Sequence, residues 1–269
     1  MLVSIVIPAF KKEKTIKKDV KRIDKVLAET RWDYEILVVV DGMLDKTFEN
    51  AAEISNERIK VFGYPTNYGK GYAVRYGMAR SHGDIIAFID SGMEINPNSI
   101  SMVLEHMEWY DADIIVGSKR HLASKVHYPL LRKIYSWGYY TIVRLLFGVK
   151  VSDTQTGLKV FRREVLEKVL PRLLIKQYAI DIEILAVAKR LGFKRIFEAP
   201  VILSQDFSSG TRFTKFLLID PFIRKILTDT LSVFYRLKIL KYYDDESKRK
   251  WRYDKELDMR INTGEFNGD

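Results

Sequence analysis

The chain has 269 residues, 47% of them hydrophobic and 30% charged, a balance that excludes a disordered protein and supports a sizeable core in one domain, or in one domain with an appendage. It has no cysteine, which excludes a disulfide framework and thiolate chemistry. The formal net charge of +10 favours anionic partners, whether phosphorylated substrates, acidic lipid head groups or nucleic acid, without choosing among them.

Leu2 to Ile7 reads as an apolar strand ended by Pro8, and this start lacks the basic leader and cleavage site of a secretory signal. Helical spacing follows from Lys11 to Glu29 through Ile16, Val20, Ile23 and Leu27. Tyr34 to Val40 is a second strand, stopped by Asp41-Gly42. A short helix near Asp45 to Ile54 and a strand around Ile59 to Phe62 come next. The Gly-rich turn Asn67-Tyr68-Gly69-Lys70-Gly71 then leads into a helix to Arg80. The run Asp84 to Ile89 ends at Asp90, Pro97 opens a helix to Trp109, and Asp113 to Gly117 is another short strand.

This alternation predicts an α/β fold with a mostly parallel, doubly wound sheet, because parallel neighbours need a crossover and a helix supplies it. The second half is less regular. A basic aromatic segment, Lys119 to Phe147, and a polar stretch, Ser152 to Gly157, precede helices around Arg163 to Leu170 and Ile180 to Leu191 and a strand near Arg195 to Leu203. Phe213 to Tyr243 alternates apolar runs with basic residues. The expected division is a catalytic unit over 1–207, an amphipathic helical extension over 208–243 and a charged, solvated tail over 244–269. No run of about 18 residues is free of charge, so no transmembrane helix is expected.

Acids end two of the early strands, Asp41 and Asp90. In a doubly wound sheet such strand ends line one edge and open on one cleft. Carboxylates at Asp90 and Glu94 suit a hard divalent cation through oxygen ligands, leaving positions for a substrate diphosphate; the bland alternative is a strand-end turn with solvated acids. There is no Gly-x-Gly-x-x-Gly after the first strand and no Walker lysine loop, which argues against a dinucleotide dehydrogenase or an ATPase.

Several motifs in order, Pro8-Ala9-Phe10 with Glu13, Val40-Asp41-Gly42 with Asp45 and Thr47, Asn67-x-Gly-Lys-Gly with Ala73, Arg75 and Gly77, and the strand ending at Asp90, resemble the nucleotide-sugar half of family 2 glycosyltransferases with the GT-A (Rossmann-like) fold. Gly117-Ser118-Lys119-Arg120, Asp153 to Phe161 and Asp181-x-Glu183-Ile184-Leu185 resemble the dolichyl- and polyprenyl-phosphate glucosyl- and mannosyltransferase branch. The resemblance runs from about Leu2 to Leu203. It implies that Pro8, Ala9, Glu13 and Asp41 hold base and ribose, that Asp90 holds the Mg²⁺ or Mn²⁺ on the diphosphate, and that Gln155, Thr156 and Gly157 form a wall of the sugar pocket. Asp41 alternatively caps the following helix. Lys70 and Arg75 either bind phosphates or solvate a helix face. Asp181 and Glu183 match the site where relatives with alcohol acceptors keep a base; with a phosphate acceptor they orient sugar or basic residues, or cap the helix from Ile180.

One departure stands out. The family pattern after this strand is Asp-x-Asp, and position 92 is glycine. Either the metal site is rebuilt on Asp90 and Glu94, or the protein binds a nucleotide sugar with little or no turnover.

The implied reaction is inverting transfer of a hexose to polyprenyl phosphate, with UDP-glucose ahead of GDP-mannose because the Asp-Thr-Gln-Thr-Gly wording leans to the glucosyl branch. A phosphate monoester is already anionic near neutral pH, so its oxygen needs no strong base. Arg120 and Arg132 are candidates to grip the acceptor phosphate, since a guanidinium fork matches its oxygens; either is alternatively a solvated arginine. Arg212 and Lys215 are placed to close over the diphosphate. Phe213 to Tyr243, and secondarily Tyr135 to Phe147, suit a bilayer interface, as a peripheral contact on the cytoplasmic face requires; the alternative is packing on the sheet or on a second subunit. Nucleic acid is not expected, because the basic residues are spread along the chain rather than gathered in a binding motif.

Overall fold

The computed structural model describes residues 1–124, 130–204, 221–244 and 249–266. The first half alternates as the sequence predicts: β1 (Leu2–Ala9), α1 (Ile16–Ala28), β2 (Asp33–Asp41), α2 (Thr47–Ala52), β3 (Ile59–Tyr64), α3 (Lys70–Ala79), β4 (Ile85–Ile89), α4 (Ser99–Trp109) and β5 (Ile114–Ser118). Then follow α5 (Leu130–Phe147), β6 (Leu158–Arg162), α6 (Arg163–Val169), α7 (Ile180–Arg190), β7 (Ile196–Pro200) and α8 (Pro221–Phe234), with β8 (Arg249–Asp254) and β9 (Met259–Phe266) at the end.

Seven strands form one sheet in the order β3-β2-β1-β4-β6-β5-β7. Its strands are near-continuous apolar runs because both faces are covered. Val6, Leu37, Val39, Ile86 and Phe88 point into a core shared with α3 and α5 to α8. Their neighbours Ile5, Ile7, Val38, Ala87 and Ile89 point into a second core under α1 and α4. Sheet and helices thus form the expected mixed α/β architecture.

The strand β6 alone runs against its neighbours, pairing antiparallel with both β4 and β5. That reversal matters for function, because the residues before β6 then lie at the same sheet edge as the residues after β4. Ile89 pairs with Leu158, and the Asp90 amide donates to the Gly157 carbonyl at 2.9 Å.

The charged end departs from its sequence reading. Instead of a solvated tail over 244–269, the described residues form an antiparallel hairpin, β8 with β9, in which Leu257 and Asn262 are buried. Polar composition misleads here because the hairpin is held from outside itself. The Tyr242 hydroxyl donates to the Asn262 carbonyl at 2.8 Å, the Arg172 guanidinium lies 5.1 Å from the Trp251 ring centre, and Tyr72 on α3 donates to Glu256.

Candidate active site

The loops after β1, β2 and β4 open on one cleft of about 340 Å³. Pro8 and Ala9 end β1, Asp41 ends β2, Lys70 opens α3 and Asp90 follows β4; all five line this cleft, together with Phe10 and Lys12. The β1 and β2 loops are tied to each other, since the Lys12 amide donates to Thr47 Oγ1 at 2.7 Å and the Lys46 amide to Glu13 Oε2 at 3.2 Å. Glu13 therefore braces the two loops in a neighbouring groove and does not line the cleft.

Asp41 is buried, and the loop ahead of α3 uses most of its carboxylate. Oδ1 accepts from the Tyr68 amide at 2.8 Å, and Oδ2 accepts from Asn67 Nδ2 and the Gly69 amide at 2.9 Å each. It does not cap α2, where Asp45 Oδ1 accepts from the Thr47 amide at 3.0 Å. Asp41 thus holds the Gly-rich loop and keeps limited acceptor capacity at the cleft wall. Gly69 has a positive φ of 107°, and a Cβ there would lie 2.5 Å from the Lys176 carbonyl oxygen, so the close approach requires glycine. Lys70 is delivered to the cleft by that turn.

A chain of alternating charge runs from Asp90 into the core. Lys70 Nζ lies 2.9 Å from Asp90 Oδ1 and 3.0 Å from Oδ2, and 3.5 Å from Asp181 Oδ2. Lys159 Nζ reaches Asp181 Oδ1 at 2.5 Å and the Thr156 carbonyl at 2.6 Å. The Phe88 ring centre lies 5.2 Å from both ammoniums, a cation–π support for two charges in a dry setting. Burial works against the Lys70 charge, but Asp181 and Asp90 outweigh it and hold its pKa above the ordinary lysine value. For Lys159 burial prevails over Asp181, and the pKa falls below that value. Lys159→Met is expected to reduce the unfolding free energy by about 3 kcal/mol, because it leaves one oxygen of a buried carboxylate without its cation. Urea denaturation measures this; a loss well under about 1 kcal/mol would mean that Lys70 alone satisfies Asp181.

Asp181 and Glu183 therefore do not cap α7, which carries no side-chain cap. Glu183 is fully buried and accepts from the Leu174 and Ile175 amides at 3.1 and 2.9 Å and from the Tyr243 hydroxyl at 2.7 Å. Burial pushes its carboxyl above the usual range against those bonds. It braces the segment ahead of α7, and that segment supplies two cleft residues absent from the sequence reading, Gln177 and Tyr178. No periodicity marks them; they are a short polar-aromatic step before a helix.

Gly157 sits against Asp90. A Cβ at 157 would lie 2.3 Å from Asp90 Oδ2, whereas one at Gly92 would meet only Lys12 Nζ, at 3.9 Å. Met93, with a φ of 49°, turns the chain sharply after Gly92. The remaining expected residues lie apart from the cleft lining. Glu94 Oε1 pairs with Lys119 Nζ at 3.2 Å. Arg120 Nη1 donates to the Ser152 carbonyl at 3.0 Å, and its guanidinium lies 5.5 Å from the Tyr140 ring centre. Arg75 does not line the cleft, and its Nε and Nη2 are buried without a hydrogen bond among the described residues; burial lowers its pKa, with Glu183 opposing. Thr156 is buried, and Gln155 Nε2 is a buried donor without a hydrogen bond among the described residues. Arg132 belongs to α5, but its side chain, like Arg212 and Lys215, lies outside the described residues.

A divalent cation has one fitting carboxylate in the cleft. Asp90 Oδ1, despite its proximity to Lys70, accepts no well-directed hydrogen bond, and Mg²⁺ commonly takes only one or two carboxylates beside substrate phosphates. Among the described residues no group of three or more His, Asp or Glu could hold a metal by itself, so the remaining ligands would come from substrate and water.

Comparison with known proteins gives the same direction. Residues 4–170 match the family described as Glycosyl transferase family 2. A dolichyl-phosphate beta-glucosyltransferase of Trichomonas vaginalis is 28% identical over 262 residues, 90% of this chain and 76% of that protein. One from Drosophila melanogaster is 30% identical over 207 residues, 70% and 63% of the two chains, so this chain spans under two thirds of that relative. The dodecaprenyl-phosphate galacturonate synthase of Rhizobium johnstonii is 25% identical over 169 residues, covering 62% and 49%. Two solved structures share the fold. Glucosyl-3-phosphoglycerate synthase from Mycobacterium tuberculosis, in complex with UDP, has a TM-score of 0.63 at 19% identity, covering 97% of this chain and 86% of that one. Mannosyl-3-phosphoglycerate synthase from Rubrobacter xylanophilus has 0.67 at 18%, covering 88% and 75%.

Proposed function

The chain belongs to glycosyl transferase family 2, and from that premise we propose that it transfers a hexose, with inversion, from a nucleotide sugar to a polyprenyl phosphate at the cytoplasmic face of a membrane. UDP-glucose is the first donor and GDP-mannose the second, because several relatives are named dolichyl-phosphate beta-glucosyltransferases. The observation that carries the reading is the position of Asp90, its side chain 41% exposed in the same cleft as Pro8, Ala9 and Asp41, with Lys70 as its partner there.

In this reading Pro8, Ala9 and the Asp41 wall receive the base, while Lys12 and Lys70 collect diphosphate charge. Asp90 would hold a Mg²⁺ or Mn²⁺ ion, which when bound supplies Lewis-acid stabilisation of the leaving nucleoside diphosphate. The acceptor phosphate oxygen attacks the anomeric carbon as an anion, so no general base is required. The burial of Asp181 between two lysines agrees with this, since it is poorly placed to take a proton from an acceptor.

Membrane contact is supported by the outer faces of α5 and α8. Trp137 and Leu145 on α5, and Leu231, Tyr235 and Ile239 along and just beyond α8, are exposed and flanked by Arg144, Arg224, Lys225 and Lys238. The two helices are joined by a bond between the Tyr139 and Thr230 hydroxyls at 3.1 Å. Aromatic and aliphatic side chains among basic ones suit a bilayer interface. Among the described residues no helix is long and apolar enough to cross a membrane.

That only Asp90 of the two cleft carboxylates is suited to a cation also favours a second reading, nucleotide-sugar binding without turnover. Incubation with a panel of radiolabelled nucleotide sugars and a short polyprenyl phosphate decides between them: lipid-soluble product from one donor supports the transferase, and metal-indifferent binding with no product supports the second reading. Gly92→Asp bears on the same point. The position has open space, so the variant is expected to fold as wild type and to bind Mn²⁺ about tenfold more tightly through a second carboxylate. Calorimetric titration measures this, and unchanged affinity would place position 92 outside the cation's reach.

A further inference from the structure

Lys70 has two carboxylates within reach and satisfies both incompletely. Its ammonium is 2.9–3.0 Å from the Asp90 oxygens, in the cleft, and 3.5 Å from Asp181 Oδ2, behind it. Lys159 occupies the other Asp181 oxygen at 2.5 Å, leaving Oδ2 directed to Lys70. The side chain of Asp90 is 41% exposed and that of Asp181 1%. The cluster Asp90, Lys70, Asp181 and Lys159 is formally neutral, with two charges of each sign.

Neutrality has a consequence for ligand entry. A dication added to Asp90 alone brings two uncompensated positive charges next to the Lys70 ammonium, whereas a dication arriving with a nucleoside diphosphate is balanced by it. Resting on the proposed function above, we propose that Lys70 is a built-in competitor for the divalent cation. It occupies Asp90 in the empty protein and shifts toward Asp181 and the diphosphate when cation and nucleotide bind together. Asp181 is then a positioning residue: it supplies the second seat that lets Lys70 leave Asp90 without becoming an unpaired buried charge. Cation and nucleotide binding become mutually dependent through one side chain, and each raises the affinity of the other by the same factor.

The test is titration of Mn²⁺ into the purified full chain, read by the loss of the free-ion electron paramagnetic resonance signal, with and without UDP. Wild type is expected to bind Mn²⁺ weakly alone and at least tenfold more tightly with UDP. Lys70→Met is expected to bind Mn²⁺ alone about tenfold more tightly than wild type and to lose most of the gain from UDP, while Lys70→Arg, which keeps the charge, stays near wild type. Asp181→Asn, which removes the second seat, is expected to bind Mn²⁺ alone several-fold more weakly. Mn²⁺ affinity of Lys70→Met at or below wild type overturns the inference. Should that variant not fold, equal Mn²⁺ affinity in wild type and Asp181→Asn overturns it instead. Asp90→Asn separates this inference from its premise: Mn²⁺ binding unchanged in that variant means that the cation does not sit at Asp90, and both fall, whereas binding lost in that variant while Lys70→Met binds no more tightly than wild type overturns the inference alone.

Discussion

Asp90→Ala is expected to lower kcat for glycolipid formation by about a thousandfold, with little change in melting temperature. The size follows from the task. Departure of a nucleoside diphosphate develops charge that a fixed electrostatic partner stabilises, and removing one such partner from a preorganised site commonly costs about 3–4 kcal/mol in the barrier. Asp90 is the cleft carboxylate that the loop ahead of α3 does not use, and neither Gly92, which has no side chain, nor Glu94, which pairs with Lys119 outside the cleft lining, is arranged to replace it. Stability should be spared for two reasons. The side chain is 41% exposed, so its ion pair with Lys70 is partly screened, and Lys70 keeps Asp181 at 3.5 Å when Asp90 is lost. A kcat within about fivefold of wild type, at saturating donor and Mn²⁺, would remove Asp90 from the chemistry, since fivefold corresponds to only about 1 kcal/mol.

The first half of the fold was legible because each element carries one simple signal. Largely apolar runs, such as Ile85–Ile89 and Tyr34 to Val40, stop at an acid, and helical spacing fills the gaps between them. The convergence of Asp41 and Asp90 on one cleft followed from those ends alone. The strand β6 was not legible as a strand. Its five residues contain Lys159 and Arg162, and a lysine in a central strand contradicts the apolar pattern unless a buried acid awaits it. Asp181 is that acid, 22 positions later on α7. Local periodicity cannot encode such a pairing. The same limit hid the hairpin, whose support comes from Tyr72, Arg172 and Tyr242 on other elements. It also left Glu94 and Arg75 as site candidates, because spacing gives a residue's distance along the chain but not the face it occupies. The fate of Asp41 sits between these cases: its place at the cleft was readable, while its three bonds to the Asn67–Gly69 loop depend on a turn that only the assembled sheet brings near.

Gly157→Ala is expected to approach the Asp90→Ala defect while deleting no functional group. The Asp90 amide bonds the Gly157 carbonyl at 2.9 Å, and β4 and β6 are locked in register from Ile89↔Leu158 to Ile85↔Arg162, so the backbones cannot separate locally. The added methyl would lie 2.3 Å from Asp90 Oδ2, 2.6 Å from its Cγ and 3.0 Å from its Cβ. The carboxylate must therefore rotate off its position beside Lys70. Overpacking of this kind costs about 1–3 kcal/mol of stability, and a misplacement on the order of 1 Å at the reacting centre costs about a hundredfold in rate. A double-mutant cycle isolates the cause. In the Asp90→Ala background the two closest clashing atoms are gone, so Gly157→Ala should then cost less than half as much stability as it does in wild type, and almost nothing further in kcat. Equal stability costs in the two backgrounds would show that the methyl is resisted by the strand backbone rather than by Asp90. The absence of a side chain at 157 would then owe nothing to the carboxylate, and the expected loss of activity would have to come from a displaced sheet edge.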